Sequence, residues 1–328
     1  MSNATRFMFG ATIPSTIARM MRIATALLAL FGALACARAA EYPVAPDSDL
    51  VGQVQVIEAR YEDTFVKLAR EYDVGYEALR RANPDVDPWL PGEGTPIRIP
   101  SQYVLPRAER TGIVINLPEL RLYYFPDADH VITHPISIGR VDWSTPLGNT
   151  SVSAKTPNPA WYPPESIRAE HAAMNDPLPR VVPPGPDNPL GRFALRLAIP
   201  GYLIHGTNKP AGVGMRVSHG CIRMFPEDIE SLFGMVRVGT PVHIVSQPFK
   251  LGWGADGLYL EAHLPLDKSS EDDDTQDGIN ATELTRLFVA ATAERYSEVD
   301  WDSAEQVMQA ARGIPKFVSV TGVLSRNQ

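Results

Sequence analysis

GIVINLPELRLYYF, residues 112–125, is where the fold class of this chain is most legible. Gly112–Asn116 and Arg121–Phe125 are runs of β-branched and aromatic residues, and Leu117-Pro118-Glu119 turns the chain between them. Such residues suit a pleated, packed surface, so both runs read as strands. Working outward, Val131–Ile138 gives a third strand ending at Gly139, and Gly148–Ala154 a fourth. Phe193–Leu197 and Pro241–Val245 add two more. The 30 prolines and 24 glycines among 328 residues punctuate the chain too often for long helices. The reading is a mainly β protein with short helices.

The segments between these strands are uneven. Residues 156–191 hold ten prolines and little periodicity. A long irregular segment inside a domain is usually functional, so it is read as a lid or wall of a substrate groove, against a plain surface excursion. Pro226–Phe233 reads as a short helix with one apolar side. Residues 247–328 form a C-terminal extension: a hairpin over Lys250–Leu264 around Gly254-Ala255-Asp256-Gly257, an acidic linker over Lys268–Gly278, and two helices near Thr282–Tyr296 and Ser303–Ala311.

Residues 51–101 stand apart. Val51–Ala59 reads as a strand. Asp63 or Thr64 is placed to cap a helix carrying Phe65, Leu68, Ala69 and Tyr72 on one face. Tyr76, Leu79 and Ala82 mark a second helix, and Thr95–Ile99 a second strand. A βααβ unit this small does not make an enzyme. DTFVKLAREYDVGYEALRRANPDV and LPGEGTPIRIP resemble a LysM module, with Glu62-Asp63 where that family usually has Gly-Asp. The resemblance implies binding to the glycan of peptidoglycan.

Residues 1–39 read as an export signal. Arg19 and Arg22 flank an uncharged apolar run, Ile23–Ala35, too short to span a bilayer. Ala37-Arg38-Ala39 offers a cleavage site, so Ala40 begins the mature chain, and residues 40–50 are a polar lead-in. Acylation of Cys36 as a lipoprotein is the weaker alternative. Cleavage removes Arg6, Arg19, Arg22 and Arg38 and no acid, taking the net charge from −8 to −12. That balance excludes a nucleic-acid partner, which needs a basic surface. The expected location is the periplasm.

Cleavage also removes Cys36 and leaves Cys221 as the sole cysteine. A lone thiol in an exported protein is a candidate reactive group. It lies in IHGTNKPAGVGMRVSHGCIRM, residues 204–224, with His205 and His219 each followed by glycine. A thiol is mostly protonated at neutral pH unless a base assists it, and on sequence alone either histidine serves. A catalytic site should accordingly label fast with thiol reagents at neutral pH. Gly220 leaves the Cys221 amide open to a substrate oxyanion. Zinc is set aside: Cys221, His205 and His219 lack a fourth ligand and the usual pair spacing. No metal and no cofactor are expected.

His205-Gly206-Thr207, then Ser218-His219-Gly220-Cys221 and Arg223, resemble the signature of the YkuD-type L,D-transpeptidases. The resemblance covers 110–246 as catalytic domain and continues into the extension as in Gram-negative members. It implies a β-sandwich-like fold with the cysteine at the mouth of a groove. It implies Cys221 as nucleophile and His205 as proton donor and acceptor. It further implies His219 and Gly220 in the oxyanion region, Ser218 as a supporting hydroxyl and Arg223 as a substrate-binding group. The activity implied is acyl transfer from a peptidoglycan stem peptide to an amine, forming 3-3 cross-links or anchoring an outer-membrane lipoprotein. Alternatives are an amidase or carboxypeptidase using the same site, or a non-catalytic wall-binding scaffold. Carbapenems should acylate Cys221.

Overall fold

The computed structural model describes residues 40–141, 143–266, 281–293 and 295–320. The export signal read at 1–39 and the acidic linker lie outside them. The chain opens with β1 (Ala40–Pro43), β2 (Leu50–Gly52) and β3 (Gln55–Glu58), then α1 (Phe65–Glu71), α2 (Tyr76–Ala82), β4 (Pro96–Ile99) and β5 (Gln102–Val104). Next come β6 (Gly112–Asn116), β7 (Arg121–Phe125), β8 (His130–Pro135), β9 (Ile138–Gly139), β10 (Gly148–Pro157), α3 (Glu165–Ala173) and β11 (Phe193–Leu197). β12 (Leu203–His205), β13 (Arg216–Ser218), β14 (Ile222–Arg223), α4 (Pro226–Met235) and β15 (Pro241–Val245) follow. The chain closes with β16 (Phe249–Trp253), β17 (Leu258–Ala262), α5 (Ala281–Thr292), α6 (Trp301–Ala310) and β18 (Lys316–Phe317).

Nine strands form one sheet in the order β1-β8-β7-β6-β15-β10-β11-β12-β14. β10 is the corner. Its first residues, Gly148–Ser151, pair with β15, its last pair with β11, and the register shifts between Val152 and Ala154. A bulge bends a strand, so the two halves of the sheet close on one core. That core draws Ile113, Ile115 and Leu122 from one half and Leu195, Ile204 and Ile222 from the other, capped by Ile229 and Leu232 of α4. This is the physical content of the β-sandwich-like expectation.

The opening stretch reads as continuous apolar runs because β6 and β7 are covered on both faces. Ile113, Ile115, Leu122 and Tyr124 face that core. Val114, Tyr123 and Phe125 face a second cluster with Val44, Val51, Tyr103 and Leu105. The lead-in is therefore structured. β1 pairs with β8, Ala40 opposite Thr133, and shields the sheet edge. β2, which the sequence reading joins to the βααβ unit, pairs with β5 instead.

The βααβ unit itself pairs β3 with β4 over a core of Phe65, Leu68, Leu79, Ile97 and Ile99. Thr64 caps α1, its side chain accepting from Lys67 N at 3.2 Å. Three features tie this unit to the catalytic sheet. Arg70 holds Glu227 of α4 through two hydrogen bonds of 2.8 and 2.9 Å. Gly214, at φ +83°, meets Gly75 so closely that a Cβ on Gly214 would lie 2.3 Å from the Gly75 Cα. Behind them, Asp73, His134 and Asp228 converge in a buried cluster. Burial pushes both carboxyls up to about 7 and the imidazole down to about 4.

In the extension, β16 and β17 form the expected hairpin and β18 joins it. Leu284 and Phe288 of α5 and Ala304 and Met308 of α6 pack on that hairpin, which answers where the tail helices go. None of the described helices is long and apolar enough to cross a membrane.

Candidate active site

β12 ends at His205, and β14 lies parallel beside it, pairing Ile204 with Ile222 and His205 with Arg223. Side chains two residues apart on a strand share a face. Arg223, paired with His205, shares its face, and Cys221 immediately precedes β14. The N–H of Leu203, the β12 residue before Ile204, points to the thiol.

Burial favours the uncharged forms of both the thiol and the imidazole. Burial first, then the Arg223 guanidinium, lower His205 to about 3, outweighing the carbonyls of Gly206 and Leu190 that favour its protonated form. His205 Nδ1 lies 2.6 Å from the Gly206 carbonyl oxygen. Burial raises the Cys221 thiol, with Leu203 N–H and Arg223 opposing more weakly. The S–H points at the Gly201 carbonyl, 3.7 Å away, and the residue is half-buried. Burial opposes ionisation of both groups, so a preformed thiolate–imidazolium pair is not favoured at rest. Iodoacetamide alkylation of Cys221 will rise about tenfold per pH unit between pH 6 and 8.5, tracking the thiolate fraction. A rate already level above pH 6 would contradict the neutral pair.

The turn into Cys221 is built by its own hydroxyl. Ser218 Oγ accepts from Gly220 N at 3.2 Å and donates to the Cys221 carbonyl at 2.5 Å. Gly220 sits at φ +97°, and a Cβ there would press on the Tyr202 ring at 3.2 Å. Glycine is required for conformation and space together. Thr145 went unnoticed in the sequence. Buried, it donates to the Gly220 carbonyl at 2.9 Å and accepts from Gly139 N at 3.3 Å. A Ser-Thr-Pro turn beside a strand was its only local signal.

His219 is committed elsewhere. Its ring stands edge-on to Trp143, centroids 5.2 Å apart, and its Nε2 lies 3.3 Å from Glu170 Oε2. Glu170 in turn accepts from Arg140 Nη2 at 2.5 Å. Burial lowers His219, with Glu170 opposing. Glu170 belongs to α3, so the proline-rich segment contains an ordered helix that reaches the site. Pro164 stands at its N-cap, where a missing N–H does no harm. His219 thus faces Glu170 of α3, while His205 pairs with Arg223 on the sheet. Arg223 has a buried Nε with no hydrogen bond. A cavity of about 370 Å³ opens between α2 and β13, walled by Ala78, Leu120, Arg140, Met215 and Val217. It reaches the arginine that holds Glu170.

Residues 110–244 match the YkuD model, described as an L,D-transpeptidase catalytic domain. The chain is 42% identical over 288 residues to the probable L,D-transpeptidase YcfS of Escherichia coli K12, covering 85% of this chain and 88% of that protein. It is 40% identical to the probable L,D-transpeptidase YbiS of the same organism, covering 90% and 98%. The probable L,D-transpeptidase ErfK/SrfK of Escherichia coli K12 is 38% identical, covering 86% and 91%. Likeness of this extent runs through the lead-in, the βααβ unit and the sheet together, and the chain belongs to the L,D-transpeptidase family.

Proposed function

We propose that this chain is an exported L,D-transpeptidase working through a Cys221 thioester on peptidoglycan stem peptides. The observation that supports the reading is the β12–β14 register, which pairs His205 with Arg223 two residues after Cys221. A stem peptide enters with its third-residue carbonyl at Sγ and a carboxylate or carbonyl at Arg223, whose geometry suits either. His205 takes the thiol proton as sulfur attacks. The oxyanion forms against the Cys221 N–H, which the Gly220 turn leaves open. The imidazolium then protonates the departing D-Ala amine, and the C–N bond breaks to leave the thioester. An acceptor amine gives its proton to His205 and displaces sulfur, regenerating the thiol. A diaminopimelate amine gives a 3-3 cross-link, a lipoprotein lysine a tether, and water a shortened peptide.

Incubation with a disaccharide-tetrapeptide tests this directly. Free D-Ala should appear together with a dimeric muropeptide. D-Ala without dimer would mean carboxypeptidase action, and no D-Ala at all would refute the acyl-transfer reading.

The βααβ unit is assigned to glycan binding as a LysM-like module. Its support is Tyr61 and Trp89, 84% and 61% exposed, with Leu90 exposed beside Trp89. Exposed aromatic faces need a partner more than isolated aliphatics do. Such a grip concentrates stem peptides near Cys221. Replacing both with alanine should weaken co-sedimentation with sacculi about tenfold, a loss of about 1.4 kcal/mol. Unchanged sedimentation would remove the assignment. Surface changes are the cleaner probe, because deleting the lead-in as well would strip β1 from the sheet. Export through cleavage near Ala40 to the periplasm completes the reading.

A further inference from the structure

The convergence of Asp73, His134 and Asp228 is not used by the acyl-transfer chemistry. Asp73 lies in the turn between α1 and α2, His134 on β8, and Asp228 in the first turn of α4. One ligand atom from each lies within 4.8 Å of the others. His134 is wholly buried, and neither ring nitrogen has a hydrogen-bond partner. Both Asp73 carboxyl oxygens and Asp228 Oδ2 are likewise sealed from water and unbonded. The His134 Nδ1 lies 3.3 Å from Asp228 Oδ1 and 3.9 Å from Asp73 Oδ2, without hydrogen-bond alignment. A wholly buried imidazole with no hydrogen-bond partner, set against two buried carboxyls whose only side-chain partner is each other, is rare in a folded protein.

We propose that Asp73, His134 and Asp228 form a buried Zn²⁺ site that fastens the βααβ unit to the catalytic sheet.

Three observations favour a metal and this metal. With bonds of about 2.0–2.1 Å, the edge of a tetrahedral zinc site is about 3.3–3.4 Å. The His134–Asp228 separation already has that length, and Asp73 closes by about half an ångström. One imidazole nitrogen with two carboxylates suits Zn²⁺ better than Ca²⁺, which takes six to eight oxygens, or Mg²⁺, which keeps its waters, and a water brought in with the ion would be the fourth zinc ligand. The charge is right too. Arg121 is the neighbouring cation, but its guanidinium donates to Thr133 Oγ1 at 2.8 Å and to the Asp73 main-chain carbonyl at 3.3 Å, and it lies 4.2 Å over the Tyr103 ring. Arg70 is taken by Glu227. Burial raises both carboxyls and sets them against each other, and a divalent cation would let both ionise by displacing the proton they share.

The place of the site gives it a consequence. Asp73 is two residues from Gly75, which meets Gly214 in the loop joining His205 to Ser218. The N–H of Glu77 donates to the Gly214 carbonyl at 3.3 Å. A cation here holds the unit against the back of the active-site loop, so metal binding and loop order are linked.

The test uses the chain with Cys221→Ala, which removes the thiol as a competing ligand. The protein is stripped with a chelator, dialysed, loaded with Zn²⁺, desalted and assayed by elemental mass spectrometry and thermal unfolding. The expected result is one zinc per chain and a melting temperature raised by about 5 °C, reversed by chelator. Co²⁺ loading should give the visible bands of a four-coordinate N/O site. Asp73→Asn and Asp228→Asn should each abolish retention while remaining folded by circular dichroism. His134→Gln is the third variant, and its misfolding leaves the two carboxamide variants decisive. A folded parent that retains no zinc overturns the proposal, and the two carboxyls then share a proton. Zinc retained equally by both variants overturns it as well, because the metal then sits elsewhere.

Discussion

Cys221→Ala abolishes D-Ala release and dimer formation, lowering turnover at least about a thousandfold. The size follows from what is lost. The alanine chain keeps the Gly220 turn, the Cys221-position amide and Arg223, so it still binds and polarises the carbonyl. It lacks the atom that forms the acyl-enzyme bond, and the chain's one other cysteine, Cys36, lies in the segment read as an export signal. A carbapenem offers a second reading of the same site. Its strained carbonyl should add once to the native chain by intact-protein mass spectrometry, and not at all to the alanine chain. Turnover within tenfold of native in the variant, or an adduct that survives it, would mean that another group is the nucleophile. The thiol is raised by burial and His205 is held neutral, so acylation should accelerate toward alkaline pH rather than peak near pH 6.

Lys250→Ala destabilises the fold by about 3–5 kcal/mol, the usual penalty for leaving buried charges uncompensated. Lys250 is 1% exposed. Its Nζ lies 2.7 Å from Glu119 Oε2, 3.0 Å from Glu261 Oε1 and 3.1 Å from the Tyr123 hydroxyl. Tyr123 also donates to Glu119, and Asn116 Nδ2 donates to it at 3.0 Å. Glu261 accepts from Val104 N at 2.6 Å and contacts His263 Nε2 at 2.7 Å. The network therefore ties the turn after β6 and strand β5 to the C-terminal hairpin. Removing the ammonium leaves two carboxylates facing each other without water. Burial alone would raise Glu119, but the Lys250 and His263 charges and the Lys250 and Tyr123 hydrogen bonds outweigh it and hold it well below the usual range. A depressed carboxylate stabilises above its unfolded pKa, so this contribution is present at pH 7. It fades as pH falls below about 4.3, the ordinary glutamate value. Guanidinium unfolding of native and variant chains at pH 7 measures the difference. A loss under about 1 kcal/mol would show that these charges reach solvent.

The sequence was most informative where neighbours in the chain decide the outcome. GIVIN and RLYYF are strands because their residues favour a pleated surface, and Thr64 caps a helix because its hydroxyl reaches the amide of Lys67. Cys221 stood out because it is the only mature thiol and lies between glycine and a short apolar strand. The proline-rich stretch misled in part: Pro163-Pro164-Glu165 is also how a helix begins, and α3 grows from it.

What the residues alone determined is the chemistry available: a thiol, two imidazoles and a guanidinium in a glycine-rich loop between strands. That His205 pairs with Arg223 was decided by the parallel register of β12 and β14, a pairing between residues that are 18 apart in sequence. The grip of α3 on His219, the seat of β1 beside β8, and the meeting of Asp73, His134 and Asp228 arise the same way. Local patterns record only which face of an element is apolar. Which faces meet depends on strand order and sheet closure, and these are set by the whole core at once.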